Sequence, residues 1–342
     1  MYMNRIVTSS VIVMLLVSNI VFAQSAVEHM NAMSTEFKAI QSSTWDYTKS
    51  AANNKSARKT NKRRLELIQQ IETSIKNVNK IPAFEKQRFL KDSVLSYLKM
   101  QKIVITEDYS KIMDLEDIAE SSYDAMEAYL KAREIANDKL EESSKKVDEA
   151  YNRFAKDNNV TIREGGNEDK ITQRLKIADE VYTYYNEVYL IFFKAYKQEA
   201  YLLDALNKGD ISALEQNKVS LSNVSAECQN KLKSVHAFRN TDNSIRTAAS
   251  ELLSFYKNEA DISFVKLIDF QAKKEAFDKS KKAFESSTNK SNDDINNYNK
   301  LIGDLNKSSA DFNATNADLN KKRSALLNNW NNSTQSFTAK YL

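Results

Sequence analysis

Apolar residues recur at helical spacing along almost the whole chain. In the first such segment Met30, Met33, Phe37 and Ile40 fall three or four positions apart, and the last segment keeps this spacing from Ile295 to Trp330, with polar interruptions. Spacing of this kind is typical of amphipathic helices and, when sustained, of coiled-coil seams. We therefore predict helices at about 26–52, 55–80, 85–116, 119–158, 170–207, 211–234, 241–287 and 291–340.

Residues that form turns are scarce. The 342 residues include 4 glycines and 1 proline, whereas average usage would give roughly 24 and 17. This scarcity argues against most β-sandwiches, barrels and α/β folds with glycine-lined nucleotide sites. The hydrophobic share of 42% and charged share of 28% suit a folded chain. The composition therefore predicts an all-α protein with long helices, interrupted at Pro82 and at Asn207–Asp210.

The two halves of the chain share short similarities that keep their order. Three pairs of segments match: Lys80–Phe84 with Ser234–Phe238, Ser93–Lys99 with Glu251–Lys257, and Phe154–Lys156 with Phe337–Lys340. The distance in sequence between the two members of a pair increases along the chain, from 154 to 158 to about 183 residues. We interpret this as tandem duplication of a unit of about 140 residues, with chance similarity between amphipathic helices as the alternative.

The predicted domains follow from this repeat. Residues 163–169 hold two of the four glycines and no apolar residue, so we predict a linker there. The chain then divides into a signal peptide at 1–23, a first four-helix bundle at 24–162 and a second at 170–342. Short connections make neighbouring helices antiparallel, so we predict two tandem up-down-up-down four-helix bundles with coiled-coil-like packing. The second bundle is predicted to carry a longer terminal helix hairpin.

The N-terminus has the pattern of an export signal. Arg5 precedes the apolar run Val11–Val17, and Ala23 offers a small residue for cleavage. We predict a signal peptide cleaved after Ala23 and a periplasmic or cell-surface location. Cleavage after Ala26 and an uncleaved anchor are the alternatives, although the run falls short of the roughly 20 apolar residues that a span needs. No later stretch predicts a transmembrane segment in the mature chain.

Residues for catalysis or metal binding are few. The chain has two histidines, His29 and His236, and neither follows a glutamate at the spacing that di-iron bundles use. Two histidines and one cysteine, Cys228, do not predict a zinc site, and we interpret Cys228 as a core residue. Phosphate loops, nucleophile elbows and dinucleotide fingerprints are absent from the sequence. We predict no enzymatic activity and no cofactor, and the net charge of +4 does not favour nucleic acid.

Two patterns stand out as candidate binding sites. The first is a run of basic residues without an acid between Asp46 and Glu66. Positive charge at a helix N-terminus opposes the macrodipole, so helix stability does not explain this run. We predict a docking face for a polyanion (lipid headgroups, lipopolysaccharide phosphates or an acidic partner), with an ordinary solvated face as the alternative. Its residues are Lys55, Arg58, Lys59, Lys62 and Arg63.

The second pattern is an aromatic stripe at helical spacing. Bundle core is the ordinary interpretation of such a stripe. Several buried tyrosines would each need a hydrogen-bond partner, however, so a groove for a glycan or peptide, or a protein interface, is the alternative. The stripe consists of Tyr182, Tyr185, Tyr189, Phe192 and Tyr196.

Three short motifs characterise the first half: the turn Ile81–Phe84, the helix with Phe89 and Leu95–Tyr97, and the terminal stretch Ala150–Asn158. With these motifs, residues 27–162 resemble a family of exported bacterial helical proteins known as surface proteins of unknown function. The second half departs from the pattern, because His236 replaces the proline and the ending is longer. The resemblance implies an envelope location and a four-helix unit, and it carries no catalytic residues.

These patterns together predict a non-enzymatic envelope or surface protein that serves as a binding or scaffolding module. Its expected partner is a protein or another envelope component, including anionic lipid or glycan. A periplasmic chaperone-like holdase that uses the aromatic stripe is one alternative. A secreted helical effector or pore-forming toxin is another, although the predicted hairpin tip at Glu285–Asn292 is polar.

Overall fold

A computed structural model describes residues 21–52, 57–108, 119–162 and 170–342. The described chain is all-α, and its helices pack against neighbours in sequence. The predicted signal sequence up to residue 20, Lys55 and the predicted linker at 163–169 lie outside the described residues. The helices are α1 (Val21–Ala52), α2 (Ala57–Lys80), α3 (Phe89–Ile103), α4 (Tyr123–Asp157), α5 (Lys170–Lys208), α6 (Ile211–Ser234), α7 (Ser244–Asn258), α8 (Phe264–Ser286) and α9 (Asn292–Tyr341), with π-helical turns π1 (Val104–Asp108) and π2 (Glu259–Ser263).

The helix predicted at 241–287 contains a π-helical turn that the sequence analysis did not predict. Its buried apolar residues Leu252, Tyr256, Ala260, Phe264 and Ile268 lie four positions apart. In an ideal α-helix each such step rotates the side chain by about 40° around the axis. The wider turn of π2 between α7 and α8 compensates for this rotation and keeps these residues on one buried face.

Local chemistry sets the connection between α5 and α6 as predicted. Gly209 follows the last residue of α5 with a φ of +67°, which is the left-handed conformation that favours glycine after a helix. Asp210 then caps α6, because its side chain accepts a hydrogen bond of 3.0 Å from the backbone N–H of Ala213. The predicted bounds of α6, 211–234, are confirmed.

The chain divides into two compact units. The first contains the described residues up to Asn186 together with Thr338–Leu342, and the second is Glu187–Phe337. The border between the two units falls inside α5. The predicted count of four helices in each unit stays a prediction. Among the described helices, none combines the length and the apolar character that crossing a membrane requires.

The first unit buries an aromatic cluster beside a tight turn. Phe84 and Gln87 form an antiparallel bridge after α2, with Glu85 and Lys86 at positive φ between them. Phe84 packs edge-on against Phe154 of α4, with ring centroids 5.3 Å apart. This cluster ties the turn between α2 and α3 to the end of α4.

The second unit repeats this arrangement with its own residues. Phe238 and Asp242 form a bridge after α6, with Arg239 and Asn240 at positive φ, and Phe238 packs edge-on against Phe337 at 5.1 Å. The matching elements have equal lengths: 24 residues in α2 and α6, 15 in α3 and α7, and 5 in π1 and π2.

Candidate functional site

The predicted docking residues lie at the start of α2. Arg58, Lys59, Lys62 and Arg63 are exposed, and we call these four residues the basic face. The first turn of α2 contains no acidic residue. The fifth predicted member, Lys55, lies outside the described residues.

One carboxylate pairs with the basic face within the described chain. Glu66 accepts from Arg63 at 2.7 Å and lies 3.9 Å from the ammonium of Lys62. Arg58 and Lys59 form no ion pair with the residues that the structure describes. The basic face therefore presents four cations to solvent against a single acid.

A neighbouring arginine has a different role. Arg64 points toward the bundle, where its guanidinium donates to the backbone carbonyl of Ile105 in π1 at 3.1 Å. Its Nε also donates to the side chain of Asn61. Arg64 thus anchors α2 to π1. The other described cations of this run face solvent, so Arg64 is not part of the basic face.

The arrangement suits phosphate binding. Residues 58 and 62, and likewise 59 and 63, lie one helical turn apart, about 6 Å along the axis. Arginine binds phosphate through two parallel hydrogen bonds, and lysine adds a compact charge. The positive end of the α2 dipole adds to the attraction for an anion.

The aromatic stripe forms core at four of its five positions. Tyr182, Tyr185, Tyr189 and Phe192 are at most 7% exposed, whereas Tyr196 is 37% exposed. Burial raises the pKa of Tyr182 and Tyr185, so both phenols stay protonated. The burial favours the core interpretation, and only Tyr196 presents a surface on which a ligand can rest.

A buried charged cluster, which the sequence analysis did not select, lies in the second unit. Arg323 of α9 donates through Nε to Glu199 of α5 and through Nη2, at 2.9 Å, to Glu259 of π2. Both carboxylates are buried, at 2% and 0% exposure. We call Glu199, Glu259 and Arg323 the buried triad. The one feature of the sequence that could have indicated the triad is Arg323 itself, which occupies a position of the apolar seam of α9.

Protonation of the buried triad is shifted. Burial, and next the charge of Glu199, raise the pKa of Glu259 to about 9. Burial and the same carboxylate also raise the pKa of the neighbouring Tyr256 well above its usual range. Among the residues that the structure describes, neither the Oε1 atom of Glu259 nor the hydroxyl of Tyr256 has a hydrogen-bond partner. The triad therefore holds a proton at neutral pH, away from solvent and from any substrate.

Two further reactive side chains, His29 and Cys228, are also buried. His29 of α1 stacks on Phe154 at 5.4 Å, and burial, with a further contribution from the charge of Lys91, lowers its pKa. Burial raises the pKa of the Cys228 thiol to about 11, in agreement with the predicted core role. Within the described residues no group of histidine, cysteine or carboxylate side chains is arranged to hold a metal ion.

No protein-family model, curated protein or solved structure matches the chain. The resemblance to exported bacterial surface proteins therefore stays a prediction, and the functional argument rests on the residues described above.

Proposed function

We propose that the protein is a non-enzymatic, exported binding module of the cell envelope that docks onto an anionic membrane surface through its basic face. The observation that carries the proposal is the exposure of four cations at the start of α2 with one paired carboxylate, Glu66. The occupant that fits this face is a layer of phosphate-bearing lipid headgroups.

The energetics of the helix support this proposal. A cation in the first turn of a helix costs about 0.3–1 kcal/mol because it opposes the macrodipole. Attraction to an anionic membrane contributes about 1 kcal/mol of binding free energy for each lysine or arginine near its surface. Arg58 and Lys59 lie in the first turn of α2 and form no ion pair with the described residues, so their placement favours binding to an anion rather than helix stability.

Two further proposals belong with this function. Export with cleavage after Ala23 would deliver the mature chain to the periplasm or the cell surface. Tandem duplication is supported by the equal lengths of the paired helices and by the matching turns at Phe84 and Phe238. The holdase alternative receives no support from the aromatic stripe, because four of its five residues are buried.

The test is co-sedimentation of the mature chain with phosphatidylcholine vesicles, with and without phosphatidylglycerol. We expect binding only to the anionic vesicles, weakening as salt is added. A variant that neutralises the basic face should bind at least about tenfold less, because four cations contribute up to about 4 kcal/mol. Its substitutions are Arg58→Gln, Lys59→Gln, Lys62→Gln and Arg63→Gln.

The matched control removes the same four charges from exposed positions of α4. It should bind like the wild type, since net charge is equal in the two variants. Loss of binding in both variants would show a dependence on net charge alone, and unchanged binding in the first variant would refute the docking face. The control substitutions are Lys131→Gln, Lys139→Gln, Lys145→Gln and Lys146→Gln.

A further inference from the structure

The second unit contains a long helical hairpin, formed by α8 and residues 292–318 of α9. Aromatic rings connect its two helices along the length of α8. Phe270 packs on Phe312 with ring centroids 4.5 Å apart, and Tyr298 lies 5.7 Å from Phe277 and 4.3 Å from Phe284. These contacts fix an antiparallel register between the two helices.

The register leaves α9 with one apolar column that α8 does not match. Phe270, Phe277 and Phe284 recur every seven residues and meet the column of Tyr298, Leu305 and Phe312. The second column of α9 contains Ile295 and Ile302. In the same register these two isoleucines lie opposite Ser287, directly after α8, and Ser280 of α8.

Burial confirms that this side of the hairpin is open. Between residues 269 and 318 the one buried residue is Ser308, while the ring contacts themselves are only half-buried. Ile295 is 39% exposed. An amphipathic helix must bury its apolar stripe against another element. In this hairpin α8 covers only one column of α9, so Ile295 and Ile302 are not fully covered.

The charges of the hairpin indicate what covers it. α8 carries six basic and four acidic residues, a net of +2, whereas residues 292–318 of α9 carry two basic and five acidic residues, a net of −3. A second hairpin related by a two-fold axis places its α9 against the first α8. Charge then alternates around the resulting four helices, so the hairpin is complementary to itself.

We propose that the hairpin pairs with the same hairpin of a second copy of this chain, forming an intermolecular antiparallel four-helix bundle with Ile295 and Ile302 in its core. Each hairpin contributes about 27 Å of paired helix, the length of residues 269–286 beyond the buried start of α8. The symmetric arrangement covers the open column of both copies at once.

The test measures the mass of the full-length mature chain in solution, by light scattering after size exclusion and by sedimentation velocity over a range of concentrations. We expect the wild type at the mass of two chains. Ile295→Asp with Ile302→Asp should weaken self-association by at least about a hundredfold, because two buried isoleucines are replaced by charges. Helix content by circular dichroism should stay at the wild-type level.

The matched control carries the same added charge on the outer face of α9, as Asn299→Asp with Asn306→Asp, both at exposed positions. This control should remain dimeric. A wild type that is monomeric at every concentration overturns the proposal without reference to any variant. A dimer that persists in the isoleucine variant overturns it as well, since the contact then lies elsewhere.

Discussion

At the scale of single residues, the buried triad is the feature that departs most from an apolar bundle. One arginine serves two buried carboxylates, so the cluster is neutral only when one carboxylate is protonated. Because burial and the charge of Glu199 raise the pKa of Glu259, we assign the proton to this carboxylate. Replacing a buried polar cluster with apolar residues is often neutral or stabilising, whereas removing one member of a charge pair is costly.

This arrangement predicts a pH dependence of stability. Between its ordinary pKa of 4.5 and about 9, the folded chain keeps the proton of Glu259 while the unfolded chain releases it. The folded state therefore binds more protons, and the free energy of unfolding should fall as pH rises through this window. Glu259→Gln should remove that fall and raise stability at pH 9 by a few kcal/mol, on the order of several pKa units of linkage.

The measurement is the free energy of unfolding in urea at pH 6 to 9. The wild type and the variant are compared where their m-values agree. Glu251→Gln, an exposed change two turns earlier on α7, provides the control and should keep the wild-type slope. If Glu259→Gln keeps that slope too, Glu259 does not hold the proton.

At the scale of elements, the helix ends at Gly209 and Asp210 were predictable, whereas the starts of α3 and α4, predicted at 85 and 119, lie at Phe89 and Tyr123. Gly209 and Asp210 determine the end of α5 and the start of α6 through their own conformation and side chain, so four residues of sequence are sufficient. The four-residue steps through Tyr256, Ala260 and Phe264 are visible in the sequence. The packing partners of a helix decide whether such residues drift around its axis or whether a π turn keeps them on one face.

The same reasoning explains the candidate sites. The exposure of the basic face follows from helical spacing, and Leu65, which lies seven residues after Arg58 on the same face, is itself 52% exposed. The inward turn of Arg64 depends on where π1 places the carbonyl of Ile105, and the burial of Glu259 depends on Arg323, 64 residues away. Contacts between distant segments of this kind carry no local sequence signal.

The tight turn after α2 allows an element-scale prediction. Lys86 has a φ of +69°, a conformation that costs a non-glycine residue about 1–2 kcal/mol. Lys86→Gly should raise the free energy of unfolding by about 0.5–1 kcal/mol, after the greater freedom of glycine in the unfolded chain is included. Chemical denaturation measures this, with Lys86→Ala as the control that keeps the strain and should bring no gain.

The corresponding turn after α6 tests the cause of this gain. Asn240 has a φ of +61°, and asparagine tolerates the left-handed region better than lysine does. Asn240→Gly should therefore gain less than Lys86→Gly. An equal or larger gain at Asn240 would show that the benefit does not come from backbone strain.

At the scale of the whole molecule, each unit contains a buried group that titrates in the opposite sense. His29 in the first unit has a lowered pKa, so below its ordinary value of 6.5 the unfolded chain takes up a proton that the folded chain resists. Stability from this unit is complete above pH 6.5 and is lost as pH falls. Glu259 in the second unit acts in the opposite direction from pH 4.5 to about 9, and above pH 6.5, where the contribution of His29 is constant, it makes stability fall as pH rises.

The two effects should therefore separate by variant and by pH in scanning calorimetry. His29→Phe keeps an aromatic ring against Phe154 and should remove the contribution of His29 below pH 6.5, so its melting temperature relative to the wild type should be higher at pH 4.5 than at pH 7.5. The fall above pH 6.5 that Glu259 causes should stay intact. Glu259→Gln should do the reverse, and the double variant should show the sum of the two changes, since the residues share no partner. The exposed His236→Gln is the histidine control and should keep both falls. A variant at one site that also removed the pH dependence assigned to the other site would contradict this additivity and would show that the two residues are energetically coupled.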